Sequence, residues 1–505
     1  MTVRERRELL VRATGLTAGL TVLGSGLGFT RDLFIAGIFG ATASTDAFLV
    51  AWTVPETAAP LLIEGALAYL LIPLFSRAAA DGTGLREVVS ATLPRAATAF
   101  VLCSALTALC APLLVSLLAP GVAEHDLAVA CTRIASVTIL AFGLAGYLSA
   151  ALRTRQVYGS PAAIYVAYNV GIIAFAVLAH ESLGIAGAAW GVAVGGLLMV
   201  AVQVPSFVRH VGLPRLGAAA VTLSVGAFAP IASFTLIRQS QVFVERFVGS
   251  SLPAGSISYL NYAQKIAQVP MVIALVVATV SFPVLAQAVA DGDAPGAGRR
   301  VDADTVFAGA LVLAATAFFL VFAPDVVRLL LEHGAFTAAD TEATAWCMRV
   351  YCLGLLGHTL VGVLCRVFFC GPRPSWYPAV AMGAGLAVTT AAALALAPVL
   401  GVGGVALANA AGISLTAVLL SRRLDAGRDE PLPVLPARAM AASVGRLALA
   451  AAGAALAGAL LRPCLTGLHP VLTVTCGASA VAVTFVLIAA LTGARKEFMT
   501  MVRPR

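Results

Sequence analysis

"GLGFTRDLFIAGIFG", Gly26–Gly40, sets two full charges, Arg31 and Asp32, in the middle of a run that is otherwise apolar or small. From Ala13 to Ala43 no other residue is charged. The run suits a helix that crosses a bilayer, which takes about 20 largely apolar residues. A charge at mid-bilayer costs about 2.5–3.5 kcal/mol on insertion scales, so it is kept where it faces a partner or a water-filled cavity. Adjacent residues on a helix point about 100° apart, so Arg31 and Asp32 are expected to satisfy each other poorly and to need separate partners.

The rest of the chain has the same character. Its 505 residues are 60% hydrophobic and only 11% charged, with a mean hydropathy of +0.96. Soluble proteins carry about 25% charged residues, so this composition cannot cover a soluble surface. The sequence predicts a polytopic membrane protein, with its 47 glycines serving close helix packing. The nine cysteines show no metal-ligand spacing, and Cys103, Cys110, Cys131, Cys347 and Cys352, inside apolar runs, read as small buried hydrophobes. No cofactor or metal is expected. "MTVRERRELLVRA" reads as the cytoplasmic flank of a first span, with no cleavable signal.

Fourteen spans are expected, near 13–39, 45–75, 91–118, 128–152, 158–180, 185–207, 222–248, 256–288, 303–323, 343–370, 375–399, 402–421, 440–461 and 470–493. With the N-terminus inside, the inside segments hold 22 of the 32 basic residues, and the outside loops hold little beyond Arg328 and Arg462. This positive-inside pattern predicts cytoplasmic N- and C-termini in the plasma membrane. No connection is long enough for a soluble domain.

The chain also repeats itself. "RDLFIAGIFGATASTDAFLVA" is echoed by "VERFVGSSLPAGSISYLNYA" about 213 residues later, and "LGIAGAAWGVAVGG" (183–196) by "LGVGGVALANAAG" (400–412) at nearly the same offset. Six spans separate the copies, so the halves share one orientation and form parallel repeats. The expected fold is all-α: a six-helix lobe over 1–215, a second over 216–425, and two added helices in 426–505. In such architectures substrate is expected between the lobes.

Charged residues within spans concentrate in the first two helices of each lobe. They are Arg31, Asp32, Asp46, Glu56 and Glu64, then Arg238, Glu245, Arg246 and Lys265. Each has two readings. Arg31 and Asp32 line a polar path or tie helix 1 to helix 2 as a structural pair. Glu64 faces the path or packs. Arg238 and Glu245 share one helix face. Lys265 faces the path or snorkels to an interface. Arg349 reads as interfacial, and His358 as hydrogen-bonded packing. Gly24, Gly26, Gly28, Pro55 and Pro60 allow the charged helices to bend. No Walker A, HExxH or hydrolase GxSxG is present, so no enzyme is expected, and transport would draw on the membrane potential or an ion gradient.

"LGFTRDLFIAGIFGATASTDAFLVAWTVP" with "EGALAYLLIP" resembles the first two helices of the MurJ (MviN) family, and the second half agrees through "LPAGSISYLNYAQKIAQVP", "LEHGAFTAADTEATAWCMRVYCLGLLG" and "RVFFCGPRPSWYP". These are lipid II flippases of the multidrug/oligosaccharidyl-lipid/polysaccharide exporter superfamily. The resemblance implies fourteen helices and movement of an undecaprenyl-diphosphate-linked cell-wall precursor from inner to outer leaflet by alternating access. It implies membrane lipids and cell-wall synthesis enzymes as partners, and no nucleic acid. Arg31 and Asp32 match the family's Arg-Asp pair, Asp46 its "TDAF" aspartate, Glu64 its "EGA" glutamate, and Lys265 a basic position in the second lobe.

Two departures stand out. Ser25 occupies a place where the family commonly has arginine, and "PETAAPLLIEG" lacks the family's basic residues around Ala58, Ala59 and Pro60, offering Glu56 instead. A diphosphate needs several convergent donors. Four functions therefore stand: a lipid II flippase, a paralogue for another lipid-linked glycan, a drug/cation antiporter using Asp32, Glu56 and Glu64, or a non-transporting cell-wall scaffold.

Overall fold

A computed structural model of the chain describes residues 3–64, 67, 71–76, 84–214, 229–370, 374–425 and 437–492. The chain divides into two compact units, Met1–Gly255 with Gly334–Phe336, and Ser256–His333 with Thr337–Arg505. Among the described residues the regular structure is all helical.

The first unit holds α1 (Val3–Phe39), α2 (Ala43–Ala59), α3 (Leu85–Leu109), α4 (Ala111–Leu118), α5 (His125–Ala135), α6 (Val137–Thr154), α7 (Gly159–Leu178), α8 (Ala186–Ala201), α9 (Val204–His210) and α10 (Ala229–Gly249). The second holds α11 (Ser256–Ala267), α12 (Val269–Ala290), α13 (Ala294–Leu331), α14 (Ala338–Cys352), α15 (Leu355–Phe369), α16 (Tyr377–Leu400), α17 (Val402–Asp425), α18 (Ala437–Leu461) and α19 (Pro470–Leu491).

Among the described residues, eleven helical stretches are long and apolar enough to cross a membrane, and α14 with α15, bent by 46° at their junction, would make a twelfth. The two further expected spans fall on α10 and on α11 with α12. Arg238, Glu245 and Arg246 depress the hydropathy of α10. Fourteen spans are compatible with these helices.

Local chemistry sets several boundaries. α1 stops at Gly40, whose φ of +66° suits glycine, and where a Cβ would lie 2.7 Å from the carbonyl oxygen of Ala335. α2 then starts at Thr42, whose hydroxyl accepts from the Thr45 amide. Pro55 is absorbed within α2, but Pro60 ends it, and Pro60–Glu64 continue as a π-helical turn. Thr337 and Asp340 form a reciprocal cap at the start of α14.

Small residues set the packing. In the first unit α7 meets α8 at Gly171 and Gly195, where a Cβ on Gly171 would sit 2.7 Å from the Cα of Gly195. In the second unit α16 meets α17 at Gly385 and Gly412, where a Cβ on Gly385 would sit 2.6 Å from the Gly412 carbonyl oxygen. Gly195 and Gly412 lie in the two copies of the repeated segment, so the repeat ends in the same backbone-to-backbone contact in each unit. The first unit has a core around Phe75, Tyr147, Leu152 and Phe207. In the second, Phe322, Leu447, Val481 and Phe485 seat α18 and α19 against α13.

Candidate functional site

Arg31 is buried, on α1 in the first unit. Its Nε and Nη2 both donate to Asp32 Oδ1, at 2.9 and 2.7 Å. The expectation that these neighbours satisfy each other poorly is therefore overturned. It reckoned with Cβ directions only, whereas the long arginine side chain folds back across the gap. The expectation of separate partners holds for Arg31 all the same. Its Nη1 donates to Asn169 Oδ1 at 3.0 Å, and its guanidinium lies 4.4 Å from the centre of the Trp52 ring on α2. The pair thus joins α1 to both α2 and α7.

Asn169 carries the other half of this junction. Its Nδ2 donates to the carbonyls of Gly24, at 3.0 Å, and of Tyr165, at 2.9 Å. A Cβ on Gly24 would stand 2.9 Å from the Cβ of Tyr165, so glycine is what lets α7 come close enough for the bond. One turn of α7 away from Tyr165, Tyr168 packs on Trp52 and Phe142. It lies within electrostatic reach of Arg31, Asp32 and Glu56. Its hydroxyl is buried and has no hydrogen-bond partner among the described residues. Asn169 and Tyr168 were not singled out from the sequence. The available signal was an asparagine within the apolar "YVAYNVGIIAF".

A second charge contact lies on α2 and α10. Arg246, 2% exposed, places Nη2 3.6 Å from Glu56 Oε2. The same residue is held by its backbone: Gln239 Nε2 donates to the Glu56 carbonyl at 2.9 Å. Proline explains the opening. Pro60 has no N–H to give to the carbonyl four residues earlier, and a side chain from α10 takes the vacant acceptor.

The other expected residues are placed as follows. Asp46 is buried in the first turn of α2, and its Oδ2 accepts from the Gly255 amide at 2.7 Å. Glu245 is buried on α10. Arg238 is half-buried on α10 and pairs with no acid among the described residues. Lys265 is half-buried on α11 of the second unit. Glu64 ends the π-helical turn, and its side chain lies outside the described residues. Ser25 is exposed on α1. His358 is the packing residue expected: it is buried, its Nε2 lies 2.9 Å from Asn409 Oδ1, and its ring stacks on Tyr351.

Apolar helices that carry ion pairs in their interiors mark a polytopic membrane protein with a polar interior, and this chain shares its fold with solved membrane proteins. An "Inward-facing conformation of a multidrug resistance MATE family transporter of the MOP superfamily" superposes with a TM-score of 0.61 at 12% identity, covering 82% of this chain and 99% of that one. A structure titled "Lipid II flippase MurJ, inward closed conformation" superposes with a TM-score of 0.79 at 18% identity, covering 97% of this chain and all of that one.

The sequence resolves the class further. The family model described as "Lipid II flippase MurJ" matches residues 35–474, and the chain belongs to that family of multi-pass membrane proteins. Relatives agree. The "Probable lipid II flippase MurJ" of Rhizobium meliloti (strain 1021) is 30% identical over 459 residues, 86% of this chain and 85% of the relative. The "Lipid II flippase MurJ" of Burkholderia cenocepacia is 28% identical over 432 residues, 81% of this chain and 83% of the relative.

Proposed function

We propose that this chain moves lipid II, a cell-wall precursor on an undecaprenyl diphosphate, from the inner to the outer leaflet of the bacterial plasma membrane by alternating access, with both termini cytoplasmic and without covalent change to the cargo. The observation that carries this reading is Arg31, a buried guanidinium on a spanning helix, whose partners among the described residues leave part of its donor set open. Of the five N–H bonds of a guanidinium, three are in use among the described residues, one each from Nε, Nη1 and Nη2. The chain's membership of the lipid II flippase family supplies the cargo class.

The same atoms suggest a binding step. While no cargo is present, Asp32 neutralises Arg31, since a guanidinium in a membrane interior needs a counter-charge. Asp32 meets Nε and Nη2 with one oxygen only, whereas a diphosphate brings several and can give each nitrogen its own acceptor, so it competes with Asp32 for both. Asn169 keeps Nη1 in place during the exchange. The Tyr168 hydroxyl adds a neutral donor beside the pair. Arg238 adds a cation that no described acid occupies, in partial replacement of the family's arginine at Ser25. Asp46 takes a positioning role through Gly255, while Glu64, Glu245, Arg246 and Lys265 are proposed as further gating or binding residues. The lobe division 1–215, 216–425 and 426–505 belongs to the same proposal and is supported by the repeated glycine contact.

The test is complementation of a bacterium whose own lipid II flippase is shut off, with expression checked by blot. Growth with the natural chain and none with Arg31→Ala is expected. A chain that is well expressed and membrane-inserted yet fails to rescue would turn the reading toward another lipid-linked glycan. Rescue by both forms would leave Arg31 without a role.

A further inference from the structure

The second unit holds a cavity of about 770 Å³ that the transport reading leaves unused. It lies where the end of α13 meets α14 and the turn joining α18 to α19, and its lining includes Arg328, Arg349, Arg462, Asp325, Leu320 and Leu468. Three guanidiniums thus share one cavity with a single lining acid. Arg328 and Arg462 are the two outside-loop arginines that stand against the positive-inside pattern, and folding gathers both of them here.

The charges are not used up internally. Arg462 Nε reaches Asp325 Oδ2 at 3.0 Å, and Arg328, more than half exposed, reaches Glu332 at 3.4 Å. Arg349 pairs with no carboxylate among the described residues. Its Nε donates to the Leu320 carbonyl at 3.0 Å. That carbonyl is vacant because Pro324, four residues on, has no N–H to offer it. The bond fixes the guanidinium at the cavity wall and leaves four of its N–H donors. The remaining wall is mostly apolar, from residues such as Leu320 and Leu468, with the hydroxyls of Thr466 and Thr473 beside them. Anchored guanidiniums beside an apolar wall suit a phosphate carried on a lipid, since a free anion has no use for the wall.

We infer that this cavity is a binding site for the phosphate of an anionic lipid, on the outer face of the membrane. The outer placement rests on the sidedness proposed above; the ligand chemistry does not. Two lipids carry that chemistry: a phospholipid such as phosphatidylglycerol, and the polyprenyl diphosphate of the cargo itself.

The test is native mass spectrometry of the full chain, stripped of lipid and titrated separately with phosphatidylglycerol, undecaprenyl diphosphate and inorganic pyrophosphate. The natural chain is compared with Arg349→Gln/Arg462→Gln, with Arg349→Lys/Arg462→Lys and with Arg31→Ala. The double glutamine variant is expected to lose at least about tenfold in affinity for one of the two lipids. The lysine variant should keep part of that affinity, and Arg31→Ala should leave phosphatidylglycerol binding unchanged while lowering undecaprenyl diphosphate binding through the first unit. Loss confined to undecaprenyl diphosphate names the cargo as ligand, and equal loss for phosphatidylglycerol names the surrounding bilayer. Lipid affinity untouched by the glutamine pair overturns the inference, as does pyrophosphate bound as tightly as either lipid. Should the glutamine pair fail to fold, Arg328→Glu on the exposed rim reads the same loss. Labelling of the exposed native Cys464 by an impermeant maleimide on intact cells checks the face. Because binding is read without transport, failed complementation beside intact binding refutes the flippase reading and leaves this one standing.

Discussion

The polar junction of α1, α2, α7 and α10 and the arginine cavity at the end of α13 use the same residue type in opposite ways. In the first, Arg31 and Arg246 are buried, one against Asp32 and the other near Glu56. In the second, Arg328 and Arg462 are 58% and 36% exposed, and the third arginine, Arg349, is anchored to a backbone carbonyl rather than to an acid. Burial decides the difference. A guanidinium inside a helix bundle is tolerable only with its counter-charge, whereas one at a water-facing rim can stay open to a ligand. Both regions share one device, a carbonyl vacated by proline and taken by a side chain from another helix. In the junction Gln239 takes the Glu56 carbonyl; in the cavity Arg349 takes that of Leu320.

The comparison breaks first at Arg246. Arg246→Ala leaves Glu56 in its buried surroundings without that guanidinium, and removing one member of a buried pair costs about 3–5 kcal/mol. Thermal unfolding in detergent should show a large fall in midpoint. A shift no greater than that of Arg328→Gln would mean that burial is not what separates the two regions. Next comes Arg31. Exchange for alanine removes charge-assisted bonds of about 1.5–3 kcal/mol each, so flipping should fall by about ten- to a hundredfold, with Arg31→Lys intermediate. Reconstituted vesicles carrying labelled lipid II read this directly, and an Arg31→Lys rate equal to that of the natural chain would show that the geometry of the guanidinium fork is irrelevant.

Smaller effects sharpen the shared device. Gln239→Ala strands the Glu56 carbonyl at a cost of about 1 kcal/mol. Gln239→Ala with Pro60→Ala should recover much of that loss, since the new backbone N–H can reclaim the acceptor. A double variant as unstable as the single one would argue against the proline account. The smallest effect belongs to Arg328→Gln. An exposed pair contributes about 0–1 kcal/mol, so unfolding should barely move, whatever happens to lipid binding.

Much of this is legible in the sequence. Long apolar runs broken by isolated charges identify spanning helices, and Arg31 with Asp32 announced a polar junction because nothing else charged lies within their run. What escaped has physical causes. Asn169 is one amide in an apolar helix, and its meaning depends on Gly24 bringing α1 within reach. Asp46 stands out in the sequence as a charge within a span, but its bond with the Gly255 amide is a contact across more than two hundred residues that no local pattern reveals. Arg328, Arg349 and Arg462 sit in three separate segments, and no spacing rule joins them. Pro60 was read as a permitted bend, but the π-helical turn that follows it is a matter of backbone hydrogen bonding that no side-chain pattern encodes.

The double hold on Glu56 also has a mechanical reading. Gln239 grips its backbone and Arg246 reaches its carboxylate, and the two stand seven residues apart, two turns along one face of α10. A grip at two points along an axis resists creep. If α10 slides on α2, it cannot drift by fractions of an ångström while keeping both holds. It must let go of both before it can move at all. The contact is in effect a catch, which holds this part of the molecule at one setting until both grips open together.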